Sequence, residues 1–393
     1  MKRLLRIDYL GLAAMLALIA IGTVAIWSAG NARAEAVFHG MWKSNLATAA
    51  FGLVLYFAIA LTDYRKVLGL VAAPAYAAAV VLLVAVLLFG SEQFGGRRWL
   101  WFFQPSEVSK LCILALVASL FGRGRIRRGT AGAETEERWG FAGFLLAVAI
   151  VVPPVLLILA EPDLGTALTL VPAVTVMLVS AGVWRRGLLT IIACGGAVAL
   201  VTLGAVHEAV KPGVTEERRE KILRYVPLRE HQVRRVKTFL FPEEDSRGAG
   251  YNLRQAKISI GSGGFTGKGI GKGESNHLKY LPQAISMNDF IFCVYAEETG
   301  FVGSVVLLAL FGTLLVSCCR AAYVATDGRG RLLALGISTL VFAHVYVNIA
   351  MSIGLVPITG LPLPFVSSGR TFLIVMTCGL GLVQSVSVHR EEK

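Results

Sequence analysis

The chain has 393 residues, 55% of them hydrophobic and only 16% charged, with a mean hydropathy of +0.66. Globular chains carry about 25% charged residues, so a soluble protein, a disordered chain and a soluble basic nucleic-acid-binding domain are excluded. The net charge of +13 then matters by where it lies rather than by its sum. None of the six cysteines has CxxC spacing, so neither a zinc site nor a disulfide framework is indicated. Cys112, Cys194, Cys293 and Cys378 sit in apolar runs, and Cys318 with Cys319 is expected to end a helix at the membrane face.

A bilayer core needs about 20 mostly apolar residues per helix. In chain order the candidates are 8–29, 45–61, 69–89, 106–121, 141–160, 165–182, 187–206, 289–317, 331–354 and 365–387. The first is too long for a signal-peptide core and lacks a cleavage site, so it is read as retained. The expected fold is an all-α polytopic membrane protein, one domain over 1–393, with ten spans and both termini on one side. Lys2, Arg3, Arg6, Arg65, Lys66, Arg123, Arg125, Arg127, Arg128, Arg138, Arg185, Arg186, Arg320, Arg329, Arg331, Arg390 and Lys393 fall on that side. The short loops opposite hold Arg33, Lys43, Arg97 and Arg98. The positive-inside bias places both termini in the cytoplasm.

Between spans seven and eight lies a long extracytoplasmic loop, 207–288. Residues 215–240 mix Arg, Lys and Glu with Ile222, Leu223, Val233, Val236 and Phe239, which predicts amphipathic helices on the outer leaflet, interrupted at Pro227. Residues 248–273 are dense in glycine, including Gly267-Lys-Gly-Ile-Gly-Lys-Gly273. A Walker A loop fails, because Ser262 stands where its first Gly belongs and Gly269 follows the lysine; a dinucleotide fingerprint fails at Lys272. Two readings remain: backbone that approaches a phosphate with Lys268, Lys272 and Lys279 nearby, or a flexible hinge.

Charges inside spans are costly and mark cavities or function. Glu107 and Lys110, three apart at the head of span four behind Pro105, can pair on one face; they read either as an interfacial ion pair or as a cavity wall shared with Arg97 and Arg98. Glu161-Pro-Asp163 is a solvated turn, a cation site or a holder of a hydroxyl. Asp289 opens span eight, as a favourable N-terminal charge or as a general base for a sugar hydroxyl. His344 and Asn348 share a face of span nine, the histidine read as a helix–helix hydrogen bond. The segment from Gly354 to Arg370 is rich in Pro and Gly, which predicts non-helical backbone dipping into the membrane against protein, and Arg370 is expected to need an anionic partner or a phosphate.

Five stretches together resemble the SEDS polymerases (shape, elongation, division and sporulation; the RodA/FtsW family). They are Gly95-Gly-Arg-Arg-Trp-Leu100 with Gln104-Pro-Ser-Glu-Val-Ser-Lys110, Glu161-Pro-Asp-Leu-Gly-Thr166, and Gly250-Tyr-Asn-Leu-Arg-Gln255 with Gly261-Ser-Gly-Gly-Phe-Thr-Gly-Lys-Gly269. The other two are Asn288-Asp-Phe-Ile-Phe292 with Ala296-Glu-Glu-Thr-Gly-Phe301, and Pro357-Ile-Thr-Gly-Leu-Pro-Leu-Pro-Phe365. The last wording resembles the elongation-type branch. The chain departs from the family at Ser367-Ser-Gly-Arg-Thr371, where Ser-Tyr-Gly-Gly-Ser is usual, at Pro282-Gln and Met287-Asn288, and at Gly273-Glu-Ser275.

The resemblance implies an inverting glycosyltransferase of the bacterial cytoplasmic membrane that polymerises lipid II into β-1,4 glycan for elongation and shape. Its site would face outward, and a class B penicillin-binding protein would be its partner. It implies Asp289 as base, Arg97, Arg98 and Lys110 as offsets for the diphosphate charge, Glu107 as holder of Lys110, and Asp163 in an acceptor or cation site. Lys268 and Arg370 complete the expected substrate contacts. No cofactor is fixed by the sequence, although a divalent cation such as Mg or Mn is compatible with it. A lipid flippase and a non-catalytic scaffold that activates a partner are the competing classes.

Overall fold

The apolar runs form long helices in a computed structural model that describes residues 6–31, 36–93, 96–100, 103–123, 139–211, 214–224, 230–243, 248–274 and 283–390. The first part of the chain builds α1 (Tyr9–Asn31), α2 (Ala36–His39), α3 (Met41–Leu61), α4 (Tyr64–Leu70), α5 (Ala72–Phe89), a hairpin of β1 (Ser91–Gln93) and β2 (Gly96–Trp99), and α6 (Pro105–Phe121). Next come α7 (Phe141–Ala160), α8 (Leu164–Ala181), α9 (Arg185–Val210), α10 (Glu216–Leu223), α11 (Glu230–Leu240) and α12 (Ala249–Ser262). The chain closes with α13 (Gln283–Asn288), α14 (Ile291–Val324), α15 (Gly328–Ser352) and α16 (Arg370–Val388).

Among the described residues nine helices are long and apolar enough to cross a membrane, and the protein is an all-α polytopic membrane protein. The remaining predicted span is α6, 17 residues long. That length is at the lower end of what crosses a bilayer core, and α6 packs inside the bundle against α5, α8 and α15. Most of α15 and nearly all of α16 are buried, whereas α9 stands at the rim with almost its whole length uncovered.

Local chemistry sets the helix ends. Asp63 caps α4 by accepting from the Arg65 N–H at 3.0 Å, and the predicted third span, 69–89, is broken near its start at Val71, where α4 gives way to α5. Asp327 caps α15 and also accepts from the Tyr64 hydroxyl at 2.8 Å. Cys318 and Cys319 do not end a helix: α14 continues to Val324 through Ala321 and Ala322, which favour helix, and Cys318 is buried in the core. The prediction of helices lying on the outer leaflet is corrected for α11. Its apolar face, Val233 and Val236, packs on Ala205 and Val206 at the end of α9, a partner within the chain. Pro227, Lys279 and several arginines of the orientation argument, including Arg33 and Arg125, lie outside the described residues.

The glycine-rich segment after α12 is a docked strap, neither phosphate loop nor hinge. Inside α14, Gly300 leaves the helical conformation at φ +67° and ψ −161°, which frees carbonyls one turn earlier. The N–H groups of Lys268 and Gly269 take those of Glu297 (3.0 Å) and Glu298 (2.9 Å), and Phe301 N–H returns to Gly264 O at 2.9 Å. A β-carbon on Gly300 would lie 2.4 Å from Gly267 N, and one on Gly267 would lie 2.2 Å from Glu298 O. Both clashes are with backbone, which cannot step aside. Gly300→Ala is therefore expected to destabilise the protein by about 2 kcal/mol or more, read as a lowered thermal midpoint in detergent. Gly312→Ala, a helical site with open space around it, should raise or hold that midpoint; equal midpoints for the two variants would refute the docking.

Candidate functional site

Asp289 stands in the two-residue turn between α13 and α14, outside the span. Its backbone is clamped from two elements. Asn348 of α15 donates through Nδ2 to Asp289 O at 2.9 Å and to Leu361 O at 2.7 Å, so one amide joins the turn to the final Pro-rich loop. From that loop Ser367 Oγ donates to Asn288 O at 2.6 Å and Ser368 Oγ to Asn288 Oδ1 at 2.6 Å. Ser367 Oγ also accepts from Leu363 N–H at 2.8 Å. The loop is non-helical and lies against protein, with Leu361, Leu363, Phe365 and Val366 buried. Gly360, at φ +75°, passes so near the carboxylate that a β-carbon there would sit 3.4 Å from Asp289 Oδ2.

Two guanidiniums act on that carboxylate. Arg235 of α11 donates to Thr359 O at 3.1 Å. Arg98 of β2 donates through Nε to Glu161 O at 3.3 Å and through Nη2 to Pro162 O. Each is anchored on a backbone carbonyl, and the Asp289 carboxylate has no hydrogen bond or ion pair among the described residues. Burial pushes its pKa up from 3.8 to about 6, opposed first by Arg235 and then by Arg98. The group is thus ionised at neutral pH yet poised to take a proton.

The other predicted residues are distributed as follows. Lys110 and Glu107 are both buried and pair at 2.8 Å, Lys110 Nζ meets His344 Nε2 at 3.0 Å, and the ammonium lies 5.5 Å from the Phe372 ring centre. This chain of charge inside the bundle crosses α6, α15 and α16. Asp163 is the N-cap of α8: Oδ1 accepts from Thr166 N–H at 3.1 Å, and Oδ2 accepts from Gln104 (3.1 Å), Ser106 (3.1 Å) and Thr166 Oγ1 (2.8 Å). It fastens the head of α6 to that of α8, with its oxygens already supplied with donors. Arg97 is exposed on the hairpin opposite Glu92. Lys268 bonds Glu297 at 2.9 Å and Glu274 at 3.5 Å, two turns along α14 from Asp289. Arg370 is the first residue of α16, exposed and without an ion pair among the described residues. The exposure removes the anionic partner that the sequence led one to expect, since water serves the guanidinium.

Sequence reasoning passed over Arg235, which sits in a run of basic residues that differ only in which face they occupy. It also left Ser367 and Ser368 unassigned as holders of the turn. Among the described residues no three His, Cys, Asp or Glu side chains gather as a metal site. Glu161 is fully buried with neither carboxylate oxygen hydrogen-bonded. Burial, then the neighbouring Asp163 charge, raises its pKa to about 8, against the pull of Arg98.

These two carboxyls make opposite predictions. Asp163→Ala strips one buried N–H, two buried hydroxyls and the half-buried Gln104 amide of their acceptor and is expected to cost about 2–4 kcal/mol, seen as a large drop in thermal midpoint. Glu161→Gln removes a titratable group rather than a bond. Because the folded pKa of Glu161 is raised, the wild type loses stability as pH rises from about 4.5 through 8, and the glutamine variant should not. Its midpoint relative to wild type should climb over that range; a flat difference would contradict the burial.

A family model described as "Cell cycle protein", FTSW_RODA_SPOVE, matches residues 9–392. The chain is 35% identical over 382 residues to peptidoglycan glycosyltransferase MrdB of Escherichia coli (strain K12), covering 96% of this chain and 92% of that one. It is 30% identical over 389 residues to stage V sporulation protein E of Bacillus subtilis (strain 168), covering 95% and 94%. Among solved structures, a chain from work on polymerization and crosslinking by a peptidoglycan synthase complex superposes with TM-score 0.73 at 29% identity, covering 98% of this chain and 99% of that one. The crystal structure of the rod shape determining protein RodA of Thermus thermophilus superposes with TM-score 0.65 at 27% identity, covering 98% of each. Matched end to end in sequence and in fold, the chain belongs to the FtsW/RodA/SpoVE family.

Proposed function

We propose that this protein is a peptidoglycan glycosyltransferase that polymerises lipid II, with Asp289 as its general base. The observation that carries the reading is a carboxylate without a partner among the described residues, on clamped backbone and in the field of two guanidiniums that are themselves anchored elsewhere. Asp289 takes the proton from the 4-hydroxyl of the acceptor sugar as that oxygen attacks the anomeric carbon of the donor. A C–O bond forms on the face opposite the departing group, so the configuration inverts and the new linkage is β-1,4. The bond from the anomeric carbon to the diphosphate breaks with its electron pair, and undecaprenyl diphosphate leaves.

A diphosphate needs no acid once its charge is offset, and oriented cations in a site shielded from water supply that offset strongly. Arg98 and Arg235 stand closest to the reacting carboxylate in electrostatic terms. Lys110, committed to Glu107 and His344 inside the bundle, supports the site from below and is not a ready ligand for the leaving group. The positive-inside bias supports a mouth on the extracytoplasmic face of the bacterial cytoplasmic membrane. The relative described by its polymerising and crosslinking complex supports a class B penicillin-binding protein as partner.

The test is purified protein with labelled lipid II, with and without that partner, scored for glycan chains. Asp289→Asn should lower polymerisation by about 10²–10⁴-fold, whereas Arg123→Ala, remote from the site, should not. Lipid scrambling without polymer would replace the polymerase with a transporter. Activity should rise with pH through about 6 as Asp289 ionises. Arg235→Ala should move that limb upward, since a cation favouring the charged carboxylate is gone. An unmoved limb would remove Arg235 from the site even if the rate fell.

A further inference from the structure

At the end of the bundle away from Asp289, the start of α1 and the ends of α14 and α16 enclose a cavity of about 240 Å³, lined by Arg6, Asp8, Tyr9, Arg320, Ser387 and Arg390. Among the described residues its lining carries three guanidiniums and one acid. That acid is committed: Asp8 Oδ1 accepts from the N–H groups of Leu10 (3.2 Å) and Gly11 (3.3 Å), capping α1, and Oδ2 accepts from Ser317 Oγ at 2.9 Å. Gly11 permits the close approach behind it, since a β-carbon would lie 2.2 Å from Ser317 Oγ. Arg6 Nη1 donates to Arg390 O at 2.6 Å and draws the chain's last described residue over the opening. Neither Arg320, which is exposed, nor Arg390 has an ion pair among the described residues. Beside the cavity the surface turns apolar: Tyr9 is 58% exposed, Leu10 60% and Val316, one turn before Arg320, 64%.

We propose that this cavity binds the phosphate of an anionic phospholipid headgroup, whose acyl chains lie along Leu10 and Val316. A cluster of arginines with one satisfied carboxylate selects an anion, and arginine suits phosphate oxygens through paired N–H groups. Exposed aliphatic side chains running from the same opening select a ligand that carries hydrocarbon. Basic pockets between helix ends bind lipid phosphates on this principle, with about 1 kcal/mol per cation near the surface, a factor of about five. The occupant ties the N-terminal segment to the ends of α14 and α16, so it acts as a third strand of the lacing begun by Arg6 and Ser317. This inference is independent of the polymerase reading.

The test is native mass spectrometry of the full chain in detergent with equimolar dioleoyl phosphatidylglycerol and dioleoyl phosphatidylcholine. Wild type should retain the anionic lipid preferentially, and Arg320→Ala with Arg390→Ala should lower that retention by at least about fivefold, with Arg123→Ala unchanged. If the double variant does not fold, Arg320→Gln alone, at an exposed position, should show a drop of about fivefold. Equal retention of both lipids by wild type, or undiminished retention in a folded variant, overturns the proposal. Displacement by millimolar inorganic phosphate in the absence of any lipid preference also overturns it, by giving the cavity to a soluble anion.

Discussion

Irregular backbone at membrane depth must find its hydrogen bonds inside the protein, because lipid offers none. At the mouth of this bundle that requirement falls largely on one side chain. Asn348 bonds two carbonyls from separate segments, and Ser367 and Ser368 bond the residue beside the first of them. An unpaired buried carbonyl would cost about 1–3 kcal/mol, so satisfying these groups and fixing Asp289 are one act. The Asp289 carboxylate itself is left out of this network among the described residues. Its described neighbours hold the main chain rather than its oxygens, an arrangement that suits the base proposed above.

The same logic governs the broken helix. Where Gly300 interrupts α14, the strap supplies the N–H groups that the lost turn would have supplied, and the acids beneath are served by the strap together with α12 and α1. Glu297 takes Lys268, Ser259 and the Glu274 N–H, while Glu298 takes Ser28 of α1. Glycine is required here by close approach, at Gly267 and Gly300, as much as by torsion angle. The long loop is thereby a wall of the bundle along 248–274, and α11 rests on α9 to carry Arg235 inward.

The spans were legible because apolar runs of bilayer length have few other uses, and the boundary errors fall where a helix continues beyond the span length, as past Cys319, or breaks within the run, as at Val71. Asp289, Arg98 and Asp163 were legible as residue types at segment ends. Their partners were not. Asp163 reads in sequence as a free acid beside a proline, and only the fold shows four donors already upon it. Lys268 reads as a phosphate ligand until Glu297, far along the chain, is brought beneath it. Arg235 carries no local mark that separates it from Arg234, because its distinction is the direction it faces once Val233 and Val236 have found Ala205 and Val206. Contacts between segments distant in sequence decide such matters, and a one-dimensional pattern does not hold them.

The seat of the glycine strap implies an order of assembly. Its floor is made by α14 and by Ser28 of α1, elements emerging from the ribosome some 270 positions apart, and the strap precedes α14 in the chain. Until α14 is threaded and its break at Gly300 has formed, residues 263–273 have nothing to bind. This end of the bundle is therefore closed late in biogenesis, by a segment that waits for its own keyway to be inserted.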